Sequence, residues 1–416
     1  MSAATVIDEA VSSQLCAGCG ACAAIAPNDV KMDIDGNGHL RPRVSGAISD
    51  PISDPISGAI SGAVQSRIRD VCPGLSMTMP ASDRETHPLW GPYRSIADGW
   101  ARDPALRRRA SSGGGLSALL VHMLDSGAAS FIHQTAAAKD DPLGNKTVAS
   151  HVKGDITEAA GSRYAPSAPL ADLEASLARG KPFVFVGKPC DVAALRAMAR
   201  HDPRINEHVA LVVSFFCAGA PSRKGGDALL DAMNVTRDDV VAFRYRGDGW
   251  PGKARARLAS GEEASLSYEQ SWGDVLSKHL PFRCKICPDG VGGFADIVFA
   301  DAWRCDERGY PLFEETDGVS LIVTRTEKGE AALAAAVDAG VIETAPRAIE
   351  DILDMQPGQR RRKTLALSRI AALWALGRRA PRFKGFQLLK AAARAGVFAN
   401  IKSFLGAGRR IVLNLR

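Results

Sequence analysis

"PFVFVGKPCDVAALRAMAR", residues 182–200, reads as a strand, a tight turn and a helix. PFVFVG (182–187) is a short apolar run of the kind that forms a buried strand, and KPCD turns it into the helical VAALRAMAR. HVALVVSFFC (208–217) repeats the strand character and leads through AGAPS towards the helix GGDALLDAMN. Two such units in succession predict an α/β core of parallel strand–helix units. Each unit carries a cysteine just after its strand, Cys190 in the first and Cys217 in the second. In an open parallel sheet those positions share the carboxyl edge, where ligands bind, so the two would converge although far apart in sequence.

Further along, Cys284 and Cys287 form C-K-I-C, a two-ligand hook. With Cys190 and Cys217 they make one set of four thiols. Buried single cysteines are common core residues, so spacing alone leaves ordinary packing of Cys190 and Cys217 equally open. Cys305 has no partner in this pattern and reads as an ordinary thiol. A second set lies in LCAGCGACAAIAPNDV (15–30), where Cys16, Cys19 and Cys22 stand at C-x2-C-x2-C. The cysteine expected next, before a proline, is replaced by Ala26 ahead of Pro27. In two-cluster ferredoxins that Cys-Pro cysteine serves a different cubane from the three before it, so a remote Cys-Pro is what the geometry asks for. Cys72, followed by Pro73 and Gly74, fits that role. Gly18 and Gly20 between the cysteines supply tight turns. A [4Fe–4S] cluster is favoured over a four-cysteine zinc site or a degenerate loop.

The chain of 416 residues exceeds one ordinary core, and 46% hydrophobic with 24% charged residues describes a soluble globular protein. Nine cysteines are too sparse for a disulfide scaffold and point to metal or redox chemistry. MSAATVIDEAVSS lacks a basic and an apolar signal region, and VALVVSFFCAGA (209–220) is well short of a membrane span; a cytoplasmic location is the expectation. Residues 45–63 are a tandem of I-S-D-P and I-S-G-A units, read as a flexible insertion. It separates Cys22 from Cys72 at little cost, since each doubling of loop length adds only about 0.6 kcal/mol.

Charge is uneven. After Asp354 there are fifteen cations and no acid, which against a total of +6 leaves −9 for the rest. KTLALSRIAALWALGRR (363–379) and FQLLKAAARAGVFANIKSFLG (386–406) place apolar residues at helical spacing among these cations. Three readings stay open for this tail: docking on the acidic body, peripheral contact with an anionic membrane, or holding an acidic redox partner such as ferredoxin. No recognition module accompanies the charge, so nucleic acid is not expected.

From residue 12 to about 345 the chain resembles the beta-subunit family of coenzyme F420-reducing hydrogenase and formate dehydrogenase. That family also contains 7-hydroxymethyl chlorophyll a reductase and one ferredoxin-dependent class of divinyl chlorophyllide 8-vinyl reductase. The resemblance runs in order through CAGCGACAA, CPG, SSGGGLSALLVHMLDSG, GSRYAPS, VFVGKPCDVAALR, FFCAGAPS, FRYRGDGWPG, CKICPDGVGGFADIVFADAW and VSLIVTRTEKGE. It implies FAD and a [4Fe–4S] cluster on Cys190, Cys217, Cys284 and Cys287, agreeing with the edge argument. Members with the added N-terminal module look like two-cluster proteins. The chain then divides into a ferredoxin-like module (1–80), the N-terminal part of the family core (81–175), its C-terminal part with FAD and the second cluster (176–345), and a basic amphipathic helical tail (346–416).

A flavin diphosphate needs neutralising, and a glycine turn ahead of a helix offers free amides and a positive dipole end. Ser112, Gly113, Gly114 and Gly115, with Ser117 behind them, supply such a turn. Gly161, Ser162, Arg163 and Tyr164 join them, Arg163 facing phosphate and Tyr164 stacking. Lys188, Asp191, Arg244 and Arg246 are polar groups that could orient substrate or tune the flavin, Lys188 counting among the cofactor contacts; surface salt bridges are an equal reading for the two arginines. No P-loop occurs, and neither nucleotide hydrolysis nor a nicotinamide Rossmann site is expected. His122 and His133 read as structural, and no catalytic acid is assigned.

The parts suggest an oxidoreductase passing electrons from ferredoxin or reduced coenzyme F420, through two clusters and FAD, to a small organic substrate. One alternative is an electron-transfer subunit docked to a hydrogenase or dehydrogenase catalytic chain, with F420 as donor or acceptor; another is a zinc-stabilised binding protein without redox function.

Overall fold

Side chains alternate along Phe183–Val186: Phe183 and Phe185 pack on one face of a sheet, Val184 and Val186 on the other, all buried. A strand covered on both faces has to be apolar throughout, which is why this run shows no polar alternation. The computed structural model describes residues 5–45, 60–81, 86–306, 312 and 314–413. Most of the tandem insertion at 45–63 falls outside the described residues.

The central sheet has eight strands: β1 (Ser95–Ala101), β2 (Phe131–Ala137), β3 (Asn145–Ser150), β4 (Phe183–Val186), β5 (Val209–Phe215), β6 (Ile297–Asp301), β7 (Ser320–Thr324) and β8 (Ile342–Pro346). Their order is β8-β1-β7-β6-β5-β4-β2-β3. Four adjacent strands, β6, β5, β4 and β2, are parallel. Antiparallel pairing adds β3 at one side and β7, β1 and β8 at the other. The parallel expectation therefore holds at the centre of a mixed sheet. Helix Pro189–Met198 covers the Phe183 face; helices Gly115–Asp125 and Glu327–Asp338 cover the other.

The second strand–helix unit departs from expectation. After β5 the helix Arg223–Met233 leaves the sheet, and its Leu229 and Leu230 pack instead with Val240, Phe243, Ala254 and Ala256. These last belong to a small antiparallel sheet, Val240–Arg244, Ala254–Leu258 and Glu263–Leu266. The chain returns to the main sheet only at β6. The apolar stripe of that helix is legible in the sequence, but which surface it covers is a tertiary matter.

The N-terminal module comprises helices Val6–Ser12, Ala21–Ile25 and Gly62–Val71 and the hairpin Val30–Ile34/Leu40–Val44. Ala26, at the position of the absent cysteine, is buried with Ile7, Val30, Ile68 and Leu75 in the core of this module. The tail is helical as read, with helices Pro357–Thr364, Ala366–Ala375, Leu388–Ala393 and Gly396–Val412. It also contributes a short strand, Arg382–Lys384, that pairs in parallel with Ser76–Thr78 just beyond Cys72.

His133 on β2 is structural, as read. Its Nε2 donates to Pro169 O at 2.9 Å, its Nδ1 accepts from Ser176 at 2.8 Å, and its ring stacks on Phe185. Burial lowers its pKa, against smaller raising effects of Pro169 and Asp172. The unfolded chain thus takes up a proton that the folded chain resists. Stability from this site should be fully present above about pH 6.5 and fall as the pH drops from there through the depressed folded pKa. Thermal unfolding followed across that window should show the decline, and His133→Gln should flatten it.

Candidate functional site

Cys16 and Cys19 lie on the loop before helix Ala21–Ile25, Cys22 sits in its first turn, and Cys72 ends helix Gly62–Val71. Gly18 and Gly20 adopt φ of 72° and 88°, conformations that favour glycine, and the Gly18 amide points at Cys16 Sγ (3.4 Å). The Cys72-Pro73-Gly74 turn is pressed onto the backbone of Leu15 and Cys16: a Cβ at Gly74 would overlap the Leu15 carbonyl oxygen. Burial raises all four thiols, Cys72 to about 11. Neighbouring thiols add to it, Cys22 and Cys72 acting on Cys19, Cys16 and Cys72 on Cys22, and Cys16 on Cys72. Cys72 lies near enough to Cys16, Cys19 and Cys22 for their charges to interact.

Cys190 sits in the first turn of helix Pro189–Met198, and Cys217 lies two residues past β5, its amide donating to Gly290 O (2.8 Å). The hook residues Cys284 and Cys287 reach the same edge. Burial raises Cys190 and Cys217, Cys217 to about 12; Cys284 and Cys287 raise Cys217 further, and Cys217 adds to Cys190. Cys217 is thus near enough to Cys190, Cys284 and Cys287 for their charges to interact. Cys305 stays apart, its thiol donating to Asp354 O at 2.7 Å. Among the described residues no three or more His, Cys, Asp or Glu side chains are grouped so as to hold a metal ion directly.

The start of the tail is clamped onto this edge. Arg362 donates to Cys284 O (2.7 Å) and to Ala218 O, tying two cysteine loops together. Lys363 donates to Pro288 O (3.0 Å) and Arg369 to Lys285 O (2.7 Å). Burial pushes the Lys363 ammonium down to about 8, against the pull of Asp289 and Cys287. Ile370 and Leu373 share one core with Leu15 and Ile286, neighbours of Cys16 and of the hook. Self-docking of the tail is therefore real for its first part, mostly through carbonyl oxygens and apolar side chains, with one ion pair to an acid, Arg379 to Glu9.

Arg283 stands between the two sets. It is 2% exposed, precedes Cys284 in the chain, and donates to Pro73 O at 2.7 Å beside Cys72. Burial opposes its charge, yet Cys287, Cys190 and Cys284 more than offset this and its pKa is raised; it in turn favours the thiolates of Cys16 and Cys72. Cys19 and Cys190 also lie close enough for the charge of one to raise the other.

Beside the second set opens a cavity of about 290 Å³, near the lower bound for small-molecule sites. Ser112, Gly114, Ser117, Gly161, Ser162 and Tyr164 face it, as do Arg163, Lys188 and Cys217. Gly114 caps helix Gly115–Asp125 in a left-handed conformation with no side-chain cap, leaving the first amides of that helix free. Three of the predicted residues are engaged in other contacts. Gly113 and Gly115 do not line the cavity: a Cβ would lie 2.6 Å from Ser320 N at the first and 3.1 Å from the Phe299 ring at the second, so they serve close packing of the turn on the sheet. Arg163 does not present a free fork. It donates to Asn145 Oδ1 (2.8 Å), Pro142 O (3.1 Å) and Gly144 O (2.5 Å), and burial lowers its pKa.

Lys188 Nζ lies 2.7 Å from Asp191 and donates to Ser167. Burial disfavours its charge, but Asp191, Cys190 and Cys217 outweigh this and its pKa is raised. Arg246 is no surface salt bridge. It is 2% exposed, grips Asp301 with two bonds of 2.8 Å, and lies against the rings of both Tyr268 (4.5 Å) and Trp303 (5.1 Å). Arg244 is half-buried, pairs with Asp248 at 3.1 Å, and burial pushes it down to about 10.

The sequence reading missed the aromatic wall of Tyr268, Trp272 and Trp303, and also Gln356 and Gln359. Tyr268 and Trp272 stand four apart in SYEQSW, a spacing that could have placed them on one helical face. A larger void of about 930 Å³ lies between the module and the core. Its Arg196 is held by Asp296 and its Arg325 by backbone carbonyls, and nothing in it approaches either thiol set as closely as the smaller cavity does.

Comparison with known proteins decides the lineage. Residues 96–174 match the N-terminal family model, "Coenzyme F420 hydrogenase/dehydrogenase, beta subunit N-term", and residues 180–349 match its C-terminal counterpart for the same beta subunit. The chain belongs to the coenzyme F420 hydrogenase/dehydrogenase beta-subunit family. It is 28% identical over 274 residues to coenzyme F420 hydrogenase subunit beta of Methanococcus voltae, covering 65% of this chain and 88% of that one. The subunit of the same name from Methanosarcina barkeri is 27% identical over 293 residues, covering 68% and 90%. The F420-dependent formate dehydrogenase subunit beta of Methanocaldococcus jannaschii is 25% identical over 240 residues, covering 55% and 61%. A chain of the F420-reducing [NiFe] hydrogenase complex from Methanosarcina barkeri shares the fold, with a TM-score of 0.56, 24% identity and coverage of 73% and 99%. Cys190, Cys217, Cys284 and Cys287 lie within the family-matched residues; the N-terminal thiols and the tail after residue 349 lie outside them.

Arg246→Met should leave the half-buried Asp301 with only the Trp250 indole as a donor and cost about 3 kcal/mol. A lowered thermal midpoint, recovered in part by adding Asp301→Asn, is the expected result.

Proposed function

We propose that the chain is an electron-transfer oxidoreductase subunit with two [4Fe–4S] sites, Cys16/Cys19/Cys22/Cys72 and Cys190/Cys217/Cys284/Cys287, and a flavin seated in the cavity beside the second. The observation that carries this reading is that Cys72 lies within reach of the charges of the N-terminal thiols, and that Cys217, on the wall of that cavity, lies within reach of those of Cys190, Cys284 and Cys287. Buried thiols that repel one another's ionisation need positive charge among them to become thiolates, and metal binding supplies it. Zinc holds its sulfurs about 2.3 Å from one ion; a cubane sets iron and sulfide between thiolates and suits sets not closed round a single point.

The residues also fit FAD. Free amides at Gly114 suit a diphosphate, and Tyr164, Tyr268, Trp272 and Trp303 offer flat apolar walls to a ring. When bound, the clusters would supply one-electron chemistry and the flavin its junction with two-electron chemistry. Lys188 sets a buried positive charge at both Cys217 and the cavity, favouring an electron-rich ring there. The aromatic wall excludes water, and Arg246, locked to Asp301, holds that wall in position.

The donor on this reading is ferredoxin or reduced F420, and the acceptor a small organic molecule. The second reading, a beta subunit serving a hydrogenase or formate dehydrogenase catalytic chain with F420 as carrier, is favoured by the curated relatives, which are such subunits by name. Co-purification of a large catalytic chain separates the two readings. Among the described residues no helix is long and apolar enough to cross a membrane.

Protein purified without oxygen should carry about eight irons and one FAD. Cys72→Ala and Cys284→Ala should each leave about four irons. A colourless protein with stoichiometric zinc would overturn the proposal. Arg283→Gln removes a buried cation shared by both sets. Potentiometry followed by electron paramagnetic resonance should show both reduction potentials moving more negative, because an added electron is then less compensated.

A further inference from the structure

Nine of the twelve large apolar side chains left exposed among the described residues lie between Trp374 and Leu413. Most sit on the terminal helix Gly396–Val412, where Val397, Phe398, Ile401, Leu405 and Val412 are 52–91% exposed. At 3.6 residues per turn these five project within about 100° of one another, a single continuous stripe. The opposite side of the helix is anchored to the body. Asn400 donates to Ala392 O (2.9 Å), Ser403 accepts from Arg369 (3.2 Å), Ala407 is 2% exposed, and Ile411 packs with Leu373 and Ile370. The stripe is thus held outward by contacts already made.

Cations flank it. Lys402 and Arg409 follow the stripe round one side, with Arg410 beyond them, and the preceding turn adds Lys390 and Arg394 beside Leu389, which is 78% exposed. No acid occurs after Asp354 to neutralise them. Glu9, which reaches the tail, is already engaged by Arg69 and Arg379. Crowding of like charge is felt inside as well: burial first, then Arg362, Arg361 and Arg410, push Arg369 down to about 10.

The geometry points to a docking surface for an anionic lipid bilayer, on which the helix lies flat with Phe398, Ile401 and Leu405 inserted and the cations among the headgroups. An exposed apolar stripe bordered by Lys and Arg on a helix too short and too charged to span is the pattern of an interfacial helix, and Trp374, 59% exposed, adds an aromatic side chain suited to that depth. Charge complementarity selects anionic lipid over neutral lipid. This surface lies outside the family-matched residues, so it would attach an electron-transfer core to a membrane face without altering the core.

Flotation of the intact, cofactor-loaded chain with vesicles of phosphatidylcholine alone, or with phosphatidylserine added, tests the surface. Binding is expected only with phosphatidylserine and should weaken with salt. Phe398→Asp, and separately Lys402→Glu with Arg409→Glu, should each lower it at least about tenfold. Their circular dichroism and iron content should be unchanged, because these side chains are exposed. Equal flotation of the variants, or none with either vesicle, overturns the proposal. So does a dimer in sedimentation that Phe398→Asp splits, since the stripe would then be covered by a second copy.

Discussion

Val186 of β4 stands beside Val213 of β5 in a parallel pair. Because the two strands run the same way and are buried on both faces, the turns that follow them leave the sheet at one level. Cys190 and Cys217 are carried to a common edge by backbone pairing rather than by any attraction between them. The C-K-I-C hook, the glycine turn at Gly114, Lys188 and the aromatic wall all assemble at that edge. Moving either cysteine would require moving a strand whose neighbours and covering helices hold it in register.

Burial at this edge sets its electrostatics. Cys190 and Cys217, removed from water, resist ionisation, and neighbouring thiols oppose each of them further. The chain answers with cations taken from separate segments: Lys188 beside Cys190 and Cys217, Arg283 between the sets, Arg362 and Lys363 over the hook. Two of these four come from the tail. The tail is thus two things in one segment, a clamp on the cysteine loops up to about Leu373 and an outward-facing amphipathic surface thereafter.

Both additions to the family core grip the same place. The N-terminal module reaches it through Pro73, which accepts from Arg283, and through Cys19, whose carbonyl accepts from the Leu170 amide at 3.1 Å. The tail reaches it through Arg362 and through Ile370 and Leu373, which share a core with Leu15 and Ile286. The short pairing of Ser76–Thr78 with Arg382–Lys384 joins the two additions to each other. An arrangement of this kind keeps the first thiol set against the second while leaving the sheet unchanged.

Local pattern was enough for much of this. Apolar runs followed by a turn and a helix pointed to the parallel part of the sheet, C-x2-C-x2-C with a remote Cys-Pro pointed to Cys72 as the neighbour of the first three thiols, and carboxyl-edge reasoning together with the family resemblance pointed to the second set. These are legible because strand period, turn chemistry and ligand spacing are properties of neighbouring residues. Tertiary structure alone decided that helix Arg223–Met233 covers a small separate sheet, that Gly113 and Gly115 pack instead of facing a ligand, and that Arg163 is consumed by carbonyls while Arg246 is buried against Asp301. A guanidinium or a glycine looks the same in sequence whichever of these it does, because its role depends on which backbone segment, distant along the chain, arrives within reach.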